Sequence, residues 1–381
     1  MTSKNKSCII KKNNIKFSKM LSVTKIINGI KKAPWKNEPY NFQNWANWLH
    51  RMSPYVGKIK PGMAHWLIKL ASKSGDVILD PFCGVGTIPL ESDFLGRKGL
   101  GVDLNPYAYA IARAKFNRLP MQKLIDFLDS IKMDQIKVNL NDCSQFMKKF
   151  YHPQTLKEII YLRNIFIKGK KHFLLGCLLG IIHGHRPGHL SAVTSLVIPF
   201  YPKTKSEYKE VLPRLKNKIK RMYKDGFLIN TKSKIICADS RKLPLTNSSV
   251  DLVISSPPYF NTLDYVNDNR LRLEFLGYDE IKKKKLKEDL IQDKKHYLEE
   301  MRKVGLELKR VIKKKGLCIF VLGDLHSGNL IINTAEEVRV VYEKLGFKTY
   351  GIIEDAMPNN KCIPSKIKRV KLDRIIVMKN G

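Results

Sequence analysis

The chain has 381 residues, of which 43% are hydrophobic and 27% charged, a composition that can fill the core of one large domain or two modest ones. Its 70 Lys and Arg against 34 Asp and Glu give a formal net charge of +36. This charge predicts a polyanionic partner, most simply nucleic acid, although a lysine-rich proteome would also raise it. The seven scattered cysteines form no CxxC pair, which argues against a disulfide framework or a zinc site.

The sequence contains no segment suited to a membrane. The longest apolar run, residues 173–182, is too short to span a bilayer. The basic N-terminus lacks the apolar core and cleavage site of a signal peptide. We therefore expect a cytoplasmic protein, associated with the nucleoid if its partner is DNA.

The first 50 residues are predicted to form a basic N-terminal arm. Residues 1–35 contain no Asp or Glu and many lysines, and the stretch "MLSVTKIINGI" indicates partial helicity. A disordered, solvated tail explains the same composition, so both interpretations stay open at this point.

Residues 51–120 carry the pattern of a parallel α/β unit. The apolar spacing of "MAHWLIKLAS" predicts a helix, and "GDVILD" predicts a short buried strand that ends at Asp80. A glycine-containing loop then leads into a helix that ends near Gly96, and a second strand ends at Asp103 before another helix. This order of strand, helix, strand and helix is typical of a parallel sheet.

Residues 121–230 interrupt this alternation with a mostly helical, basic insertion. Three helices are predicted, in "LIDFLDSIKM", "TLKEIIYLRNIFIKG" and "SEYKEVLPRLKNKIKRMYKDG". Their cations suit a phosphate backbone, although a solvated helix face explains them equally well. The cations in question are Lys157, Arg163, Lys168, Lys170, Lys171, Lys216, Lys218, Lys220 and Arg221.

Three histidines lie in a Gly- and Pro-containing loop of the insertion. His183, His185 and His189 flank Arg186, but they offer neither a fourth ligand nor the spacing of a metal site. We predict no metal there and interpret the segment as a surface or substrate-facing loop.

Alternation resumes over residues 231–381. Strands are predicted in "KIICADS", "VDLVISSPPY", "GLCIFVLGD", "GFKTYGIIED" and "DRIIVMKN", with two helices between the second and the third of them. The four lysines at 282–285 are predicted to form a loop. The whole pattern predicts an α/β fold with a doubly wound, Rossmann-like sheet and one helical insertion.

The loop after the first strand has the features of a nucleoside-type site. Gly84 and Gly86 let the backbone approach a ligand, and Asp103 ends the next strand, where such sites place a carboxylate for ribose hydroxyls. The full G-x-G-x-x-G pattern is absent because Ile88 and Pro89 follow Thr87. A ligand with an amino acid in place of a pyrophosphate, S-adenosylmethionine, explains this difference.

The candidate cofactor residues follow from this interpretation. Asp80 would accept a hydrogen bond from the ammonium group, and Gly84 and Gly86 would leave room for the methionine chain. Asp239, at the end of the third strand, would accept from the adenine amino group, and a helix cap or turn is its alternative role. The full candidate set is Asp80, Pro81, Phe82, Gly84, Gly86, Thr87, Asp103 and Asp239.

The stretch "SSPPYFN" follows the fourth strand, at the edge of the sheet where open α/β sheets bind ligands. The side chain of Ser256 and the carbonyl of Pro257 are acceptors for the two hydrogens of an exocyclic amino group. Pro258 makes this turn rigid, and Tyr259 offers a face for stacking on a base turned out of its helix.

The residues after this turn have weaker predicted roles. Tyr265, Asn267 and Asn269 are expected to border the base pocket. Arg270 and Arg272 are expected to reach phosphates.

The pair "DPFCGVGT" and "SSPPYFN" resembles the amino-directed DNA methyltransferases, over residues 55–118 and 233–378. The resemblance implies S-adenosylmethionine as cofactor and transfer to N4 of cytosine or N6 of adenine. In that family a serine before Pro-Pro-Tyr is more typical of the cytosine-N4 enzymes, and here it is Ser256. The family's cofactor-contacting helix before the first strand resembles "YVGKIKPGMAHWLIKL". The order of the two motifs is the reverse of that in many cytosine-N4 enzymes, and it also suits RNA guanine-N2 methyltransferases. If the insertion is the target recognition region, its position resembles that in one permuted subclass.

The resemblance therefore implies a cytosine-N4 methyltransferase acting on double-stranded DNA, with residues 121–230 as target recognition region and a cognate restriction endonuclease as a further partner. Adenine-N6 methylation and amino methylation of RNA, such as guanine N2 in transfer RNA, are the alternatives. A decayed, non-catalytic DNA-binding protein is a third alternative. The intact residues Asp80, Gly84, Gly86, Ser256 and Tyr259 argue against it.

Overall fold

The computed structural model describes residues 22–41, 45, 47–116, 118–184, 187–194, 201–226, 231–258, 263–293, 295–327, 330–356 and 372–381. Its strands are β1 (Val77–Asp80), β2 (Lys98–Asp103), β3 (Lys234–Cys237), β4 (Val250–Ser255), β5 (Ile312–Gly323), β6 (Leu325–Ser327), β7 (Leu330–Ile332), β8 (Phe347–Ala356) and β9 (Leu372–Asn380).

Seven of these strands form one mixed sheet in the order β3-β2-β1-β4-β5-β9-β8. The strands β1 to β5 run parallel, whereas β9 lies antiparallel between β5 and β8. The connections wind outward in both directions from β1 and β4, so the switch point of the sheet lies between these two strands. The predicted doubly wound α/β fold is therefore confirmed.

Helices cover both faces of the sheet and fill the insertion. They are α1 (Val23–Lys31), α2 (Pro61–Ala71), α3 (Thr87–Phe94), α4 (Pro106–Ala114), α5 (Met121–Asp129), α6 (Gln145–Phe150), α7 (Pro153–Lys168), α8 (His172–Ile182), α9 (Val211–Met222), α10 (Arg270–Phe275), α11 (Glu280–Asp289), α12 (Tyr297–Val311) and α13 (Thr334–Lys344). The segment predicted as a helical insertion contains α5 to α9. The loop predicted at 282–285 is wrong, because these lysines lie within α11.

The insertion packs directly against the cofactor half of the sheet. A Cβ atom at Gly176 of α8 would lie 2.3 Å from the Cβ atom of Ala114 in α4. One at Gly180 would lie 1.9 Å from the backbone oxygen of Met52. The apolar run of α8 is thus buried against protein. Within the described residues, no helix has the length and apolarity to cross a membrane.

The described part of the N-terminal arm is folded onto the sheet. Ile26 and Ile30 of α1 are buried, and the indole Nε1 of Trp35 donates to Asp355 Oδ2 at 3.2 Å. Lys36 forms an ion pair with the same carboxylate at 2.6 Å. The alternative of a solvated tail is therefore wrong for residues 22–41, while the residues before them lie outside the described chain.

Candidate active site

A pocket opens at the carboxyl ends of β1 to β4, beside the switch point of the sheet. Its wall contains eight of the predicted site residues, from both motifs: Asp80, Phe82, Gly84, Thr87, Asp103, Asp239, Ser256 and Pro258. Pro81, Gly86 and Pro257 are not part of this wall, and Tyr259 lies outside the described residues. The pocket therefore joins the loop after β1 to the turn after β4.

Asp80 is the carboxylate at the base of this junction, with only 3% of its surface exposed. Its Oδ1 accepts a hydrogen bond from the Ser255 hydroxyl at 2.6 Å and another from the Phe82 amide at 3.2 Å. Burial raises the pKa of Asp80 to about 7, and the charge of Asp103 acts in the same direction. A cation in the pocket would stabilise the ionised form.

Asp103 organises the loop after β1 from the neighbouring strand. Its Oδ2 accepts from the Gly84 amide at 2.7 Å, and its Oδ1 accepts from the Asn105 amide at 2.8 Å. Burial raises the pKa of this carboxyl group to about 6. Asp103 therefore holds the backbone of the loop while it lines the pocket.

The two loop positions Gly84 and Gly86 disfavour a side chain for different structural reasons. Both have positive φ, +50° at Gly84 and +76° at Gly86. A Cβ atom at Gly84 would lie 3.3 Å from the ring of Tyr55, within the pocket wall. One at Gly86 would lie 3.0 Å from the Cβ atom of Ala112 in α4. Gly86 therefore faces helix packing, where the sequence predicted room for a ligand.

Asp239 makes the turn contact that the sequence offered as its alternative role, and it also lines the pocket. Its Oδ1 accepts from the Arg241 amide at 2.8 Å, which is a turn contact, and its Oδ2 forms an ion pair with the Arg241 guanidinium at 2.6 Å. Arg241 also pairs with Glu300 at 2.5 Å. The carboxylate still lines the pocket and is held in place by this pair.

The residues of the turn after β4 differ in their exposure to the pocket. Ser256 and Pro258 are half-buried and line the pocket, whereas Pro257 is buried behind them. Ser255, which sequence reasoning passed over, points to Asp80 through the hydrogen bond given above. The signal for it was its place directly before Ser256 at the end of an apolar strand.

Two tyrosines that line the pocket, Tyr55 and Tyr265, stack on each other. The rings of Tyr55 and Tyr265 have centroids 6.4 Å apart and planes inclined by 27°. The carbonyl of Tyr265 accepts from the side-chain amide of Asn269 at 3.0 Å. Tyr265 was expected beside the base, whereas Tyr55 was covered only by the family resemblance, and nothing in the sequence pointed to the wall residues Asp289, Leu290 and Ile291.

The expectation that Arg272 reaches a phosphate is wrong, and Arg270, whose side chain is 34% exposed, is engaged in ion pairs within the protein. Arg272 is 1% exposed, donates to the carbonyl of His183 at 2.8 Å and lies over the ring of Tyr107. Arg270 pairs with Glu274 and Glu280, each at 2.9 Å. These two arginines stabilise the packing of α10.

The histidine loop is only partly described. His183 is fully buried, and its Nδ1 lies 3.0 Å from the hydroxyl of Ser191. His185 and Arg186 lie outside the described residues. Among the residues that the structure describes, no group of three or more His, Cys, Asp or Glu is arranged to hold a metal ion.

Residues 9–114 match the family described as DNA methylase, of the N6/N4 type. Over 127 residues the chain is 31% identical to the type II methyltransferase M.MjaII of Methanocaldococcus jannaschii, covering 33% of this chain and 22% of that protein. The type II methyltransferase M.BsoBI of Geobacillus stearothermophilus is 23% identical over 287 residues, 65% of this chain and 55% of that protein.

A shorter part of the chain is similar to a protein enzyme that methylates transfer RNA. The tRNA (guanine(10)-N2)-dimethyltransferase of Methanothermobacter thermautotrophicus is 40% identical over 52 residues, 13% of this chain and 16% of that protein. The chain thus spans between about a fifth and about half of the length of the first two relatives. Residues 9–114 are thus similar to the N4/N6 DNA methylase family, and the two longer matches are to type II methyltransferases.

Proposed function

We propose that the protein methylates the exocyclic N4 of cytosine in double-stranded DNA with S-adenosylmethionine as methyl donor. The observation that carries this proposal is the shared pocket: the loop after β1 and the turn after β4 form one wall at the switch point. A cofactor site and an amino-group site placed this close allow direct transfer between two bound molecules.

The pocket chemistry fits the cofactor. S-adenosylmethionine carries an ammonium and a sulfonium group, and the wall supplies the carboxylates Asp80, Asp103 and Asp239. Burial raises the pKa of Asp80 to about 7 and that of Asp103 to about 6, so a cationic ligand beside them would stabilise their ionised forms. Phe82, Leu104 and Ile291 add apolar surface for the adenine ring. In this proposal Asp80 binds the ammonium group, Asp103 the ribose and Asp239 the adenine amino group.

When bound, the cofactor supplies an electrophilic methyl group, and the chain's own residues prepare the amino nitrogen that takes it. The side chain of Ser256 and the carbonyl of Pro257 accept the two amino hydrogens, which turns the nitrogen lone pair away from the base ring. Tyr259 stacks on the flipped base. The methylated nitrogen then loses one proton to solvent.

The choice of base rests on Ser256. A serine before Pro-Pro-Tyr favours cytosine N4 within this family, and adenine N6 is the alternative for the same site. The names of the two type II relatives support a modification enzyme with a cognate restriction endonuclease as partner. We keep residues 121–230 as the proposed target recognition region.

A second candidate function is amino methylation of transfer RNA. The short match to a tRNA guanine-N2 enzyme favours it, because that reaction also methylates an exocyclic amino group. The longer matches to the type II methyltransferases make DNA the first choice.

The test identifies the methylated nucleoside. The protein is incubated with labelled S-adenosylmethionine and, separately, with duplex DNA and transfer RNA from an unmodified host, and the nucleosides are analysed by mass spectrometry. N4-methylcytosine from DNA is the expected product. N6-methyladenine would contradict the choice of base, and label in transfer RNA alone would contradict DNA as substrate.

A further inference from the structure

Some basic residues of the insertion form ion pairs or hydrogen bonds within the protein, whereas others are exposed to solvent. Lys216 pairs with Asp129, and Arg163 donates to the carbonyl of Phe275. Lys218 is only 6% exposed and donates to the carbonyl of Arg51 at 2.9 Å. These cations belong to the protein's own packing, which removes them from the predicted phosphate contacts.

The end of α9 carries cations that stay exposed. Lys220, Arg221 and Lys224 point into solvent, and none of them pairs with a carboxylate among the described residues. The half-buried ring of Trp48 lies beside them, with the Arg51 guanidinium 4.5 Å and the Lys224 ammonium 5.0 Å from its centroid. The ring holds these two cations at one place on the surface.

This surface continues to the mouth of the pocket through Lys58. Lys58 lines the pocket and donates to the carbonyl of His50 at 2.8 Å. Burial lowers the pKa of Lys218 to about 8, and the positive charges of Arg221 and Lys58 act in the same direction. Lys58 donates to the carbonyl of His50 and Lys218 of α9 donates to the next carbonyl, that of Arg51, so α9 lies beside a residue of the pocket wall.

We define the basic ridge as Arg51, Lys58, Lys220, Arg221 and Lys224. One carboxylate, Asp225, lies beside it, and its Oδ2 accepts a hydrogen bond from the Trp48 amide at 2.6 Å. The net charge of this small surface is positive after Asp225 is included. A row of cations that leads to a pocket for a flat base is complementary to a phosphate backbone.

We propose that the basic ridge binds the phosphate backbone of the DNA duplex next to the base that enters the pocket. The proposal rests on the proposed function, because it takes the pocket as the place of the target base. Phosphate contacts of this kind position the duplex and carry no sequence information of their own. The ridge therefore fixes where the duplex lies, while sequence recognition belongs to other residues.

The test is the salt dependence of DNA binding. Lys220, Arg221 and Lys224 are changed together to alanine, and the dissociation constant for a duplex is measured from low to high salt. Each lost phosphate contact is expected to reduce the slope of log affinity against log salt by about 0.9, so the triple variant loses about 2 to 3. Cofactor binding, measured by calorimetry, is expected to stay unchanged and reports folding.

A matched control carries the same change of charge at the opposite edge of the sheet. Lys314, Lys344 and Lys348 are exposed near the beginnings of β5 and β8 and are likewise changed to alanine. This variant is expected to keep most of the slope. An equal loss of slope in both triple variants would overturn the proposal, because net charge alone would then explain binding.

A third measurement distinguishes DNA from RNA as the ligand of the ridge, and distinguishes binding from methyl transfer. If the ridge variant loses slope with transfer RNA and not with duplex DNA, the ridge is an RNA surface and the proposal is overturned. Binding is measured without transfer, so a protein that methylates neither substrate but still shows the ridge-specific loss contradicts the proposed function alone.

Discussion

The inside of the pocket and the surface around its mouth have opposite charge. Inside, Asp80, Asp103 and Asp239 are held by hydrogen bonds to Ser255, to backbone amides and to Arg241. Outside, the basic ridge carries cations that extend into solvent. The net charge of +36 therefore does not describe the pocket, whose wall contains these three carboxylates. Formal charge from the sequence alone cannot distinguish these two regions.

The largest expected effect on cofactor affinity is at Asp80. Asp80→Asn keeps the shape of the side chain but removes the charge that would meet the cofactor's ammonium group. Hydrogen bonds to charged groups contribute roughly 1.5–3 kcal/mol, so the dissociation constant for S-adenosylmethionine is expected to rise about 10- to 100-fold in calorimetry. Asp76→Asn, one strand length away before β1, is the control and should leave this constant unchanged. Equal losses in the two variants would remove Asp80 from the cofactor site.

Arg272 tests whether a buried cation contributes to the fold and not to DNA binding. Arg272→Met removes the hydrogen bond to the carbonyl of His183 and the contact with Tyr107. The free energy of unfolding in denaturant is expected to fall by about 2 kcal/mol. The salt slope for duplex DNA should stay as in the unchanged protein. A reduced salt slope with an unchanged free energy of unfolding would instead show that Arg272 contacts a DNA phosphate.

The smallest expected effect is a shift of pH dependence at Ser255. Without cofactor, burial raises the pKa of Asp80 to about 7, and a cationic ligand binds the ionised carboxylate. Affinity for S-adenosylmethionine is therefore expected to rise with pH through about 7 and to fall again where the α-amino group of the ligand loses its proton, at about pH 8. Ser255→Ala removes a donor to the ionised form, so the pKa rises further and the profile moves to higher pH.

The affinity ratio between the unchanged protein and Ser255→Ala is thus expected to be several-fold near pH 6.5 and close to one near pH 9. Asp103 and Cys83 are the other titratable groups close to Asp80, and they are the same in both proteins. Ser255→Thr restores the donor and should restore the profile. A loss that is equal at every pH would show that Ser255 acts through packing and not through the ionisation of Asp80.

The sequence predicted those parts that depend on local pattern. The alternation of apolar runs and helices gave the sheet and the insertion, and the two motifs gave Asp80, Gly84, Asp103 and Ser256 as pocket residues. Prediction from the sequence failed where a residue is buried by apolar residues that are distant in the chain. The buried Ile26 and Trp35 lie in a segment whose composition suggested a tail, and only the sheet that receives them explains their burial.

The same limit applies to the charged residues. Lys218 and Lys220 are two positions apart on α9, yet the first is buried against the backbone of Arg51 and the second is exposed. Helical periodicity separates their faces, but only the position of residues 47–52 shows which face is covered. Asp289, the last residue of α11, and Ile291, in the connection after it, reach the pocket, and the sequence carries no local signal for this.

The pocket as a single site for cofactor and target base is tested most directly at Ser256. Ser256→Ala is compared with the unchanged protein in single-turnover transfer to duplex DNA at saturating cofactor, with cofactor affinity measured in parallel. We predict a rate at least about 100-fold lower, because the amino nitrogen loses one of its two positioning acceptors, and an unchanged affinity. Transfer at the original rate, or loss of cofactor binding together with transfer, would contradict the assignment of the turn after β4 to the amino group.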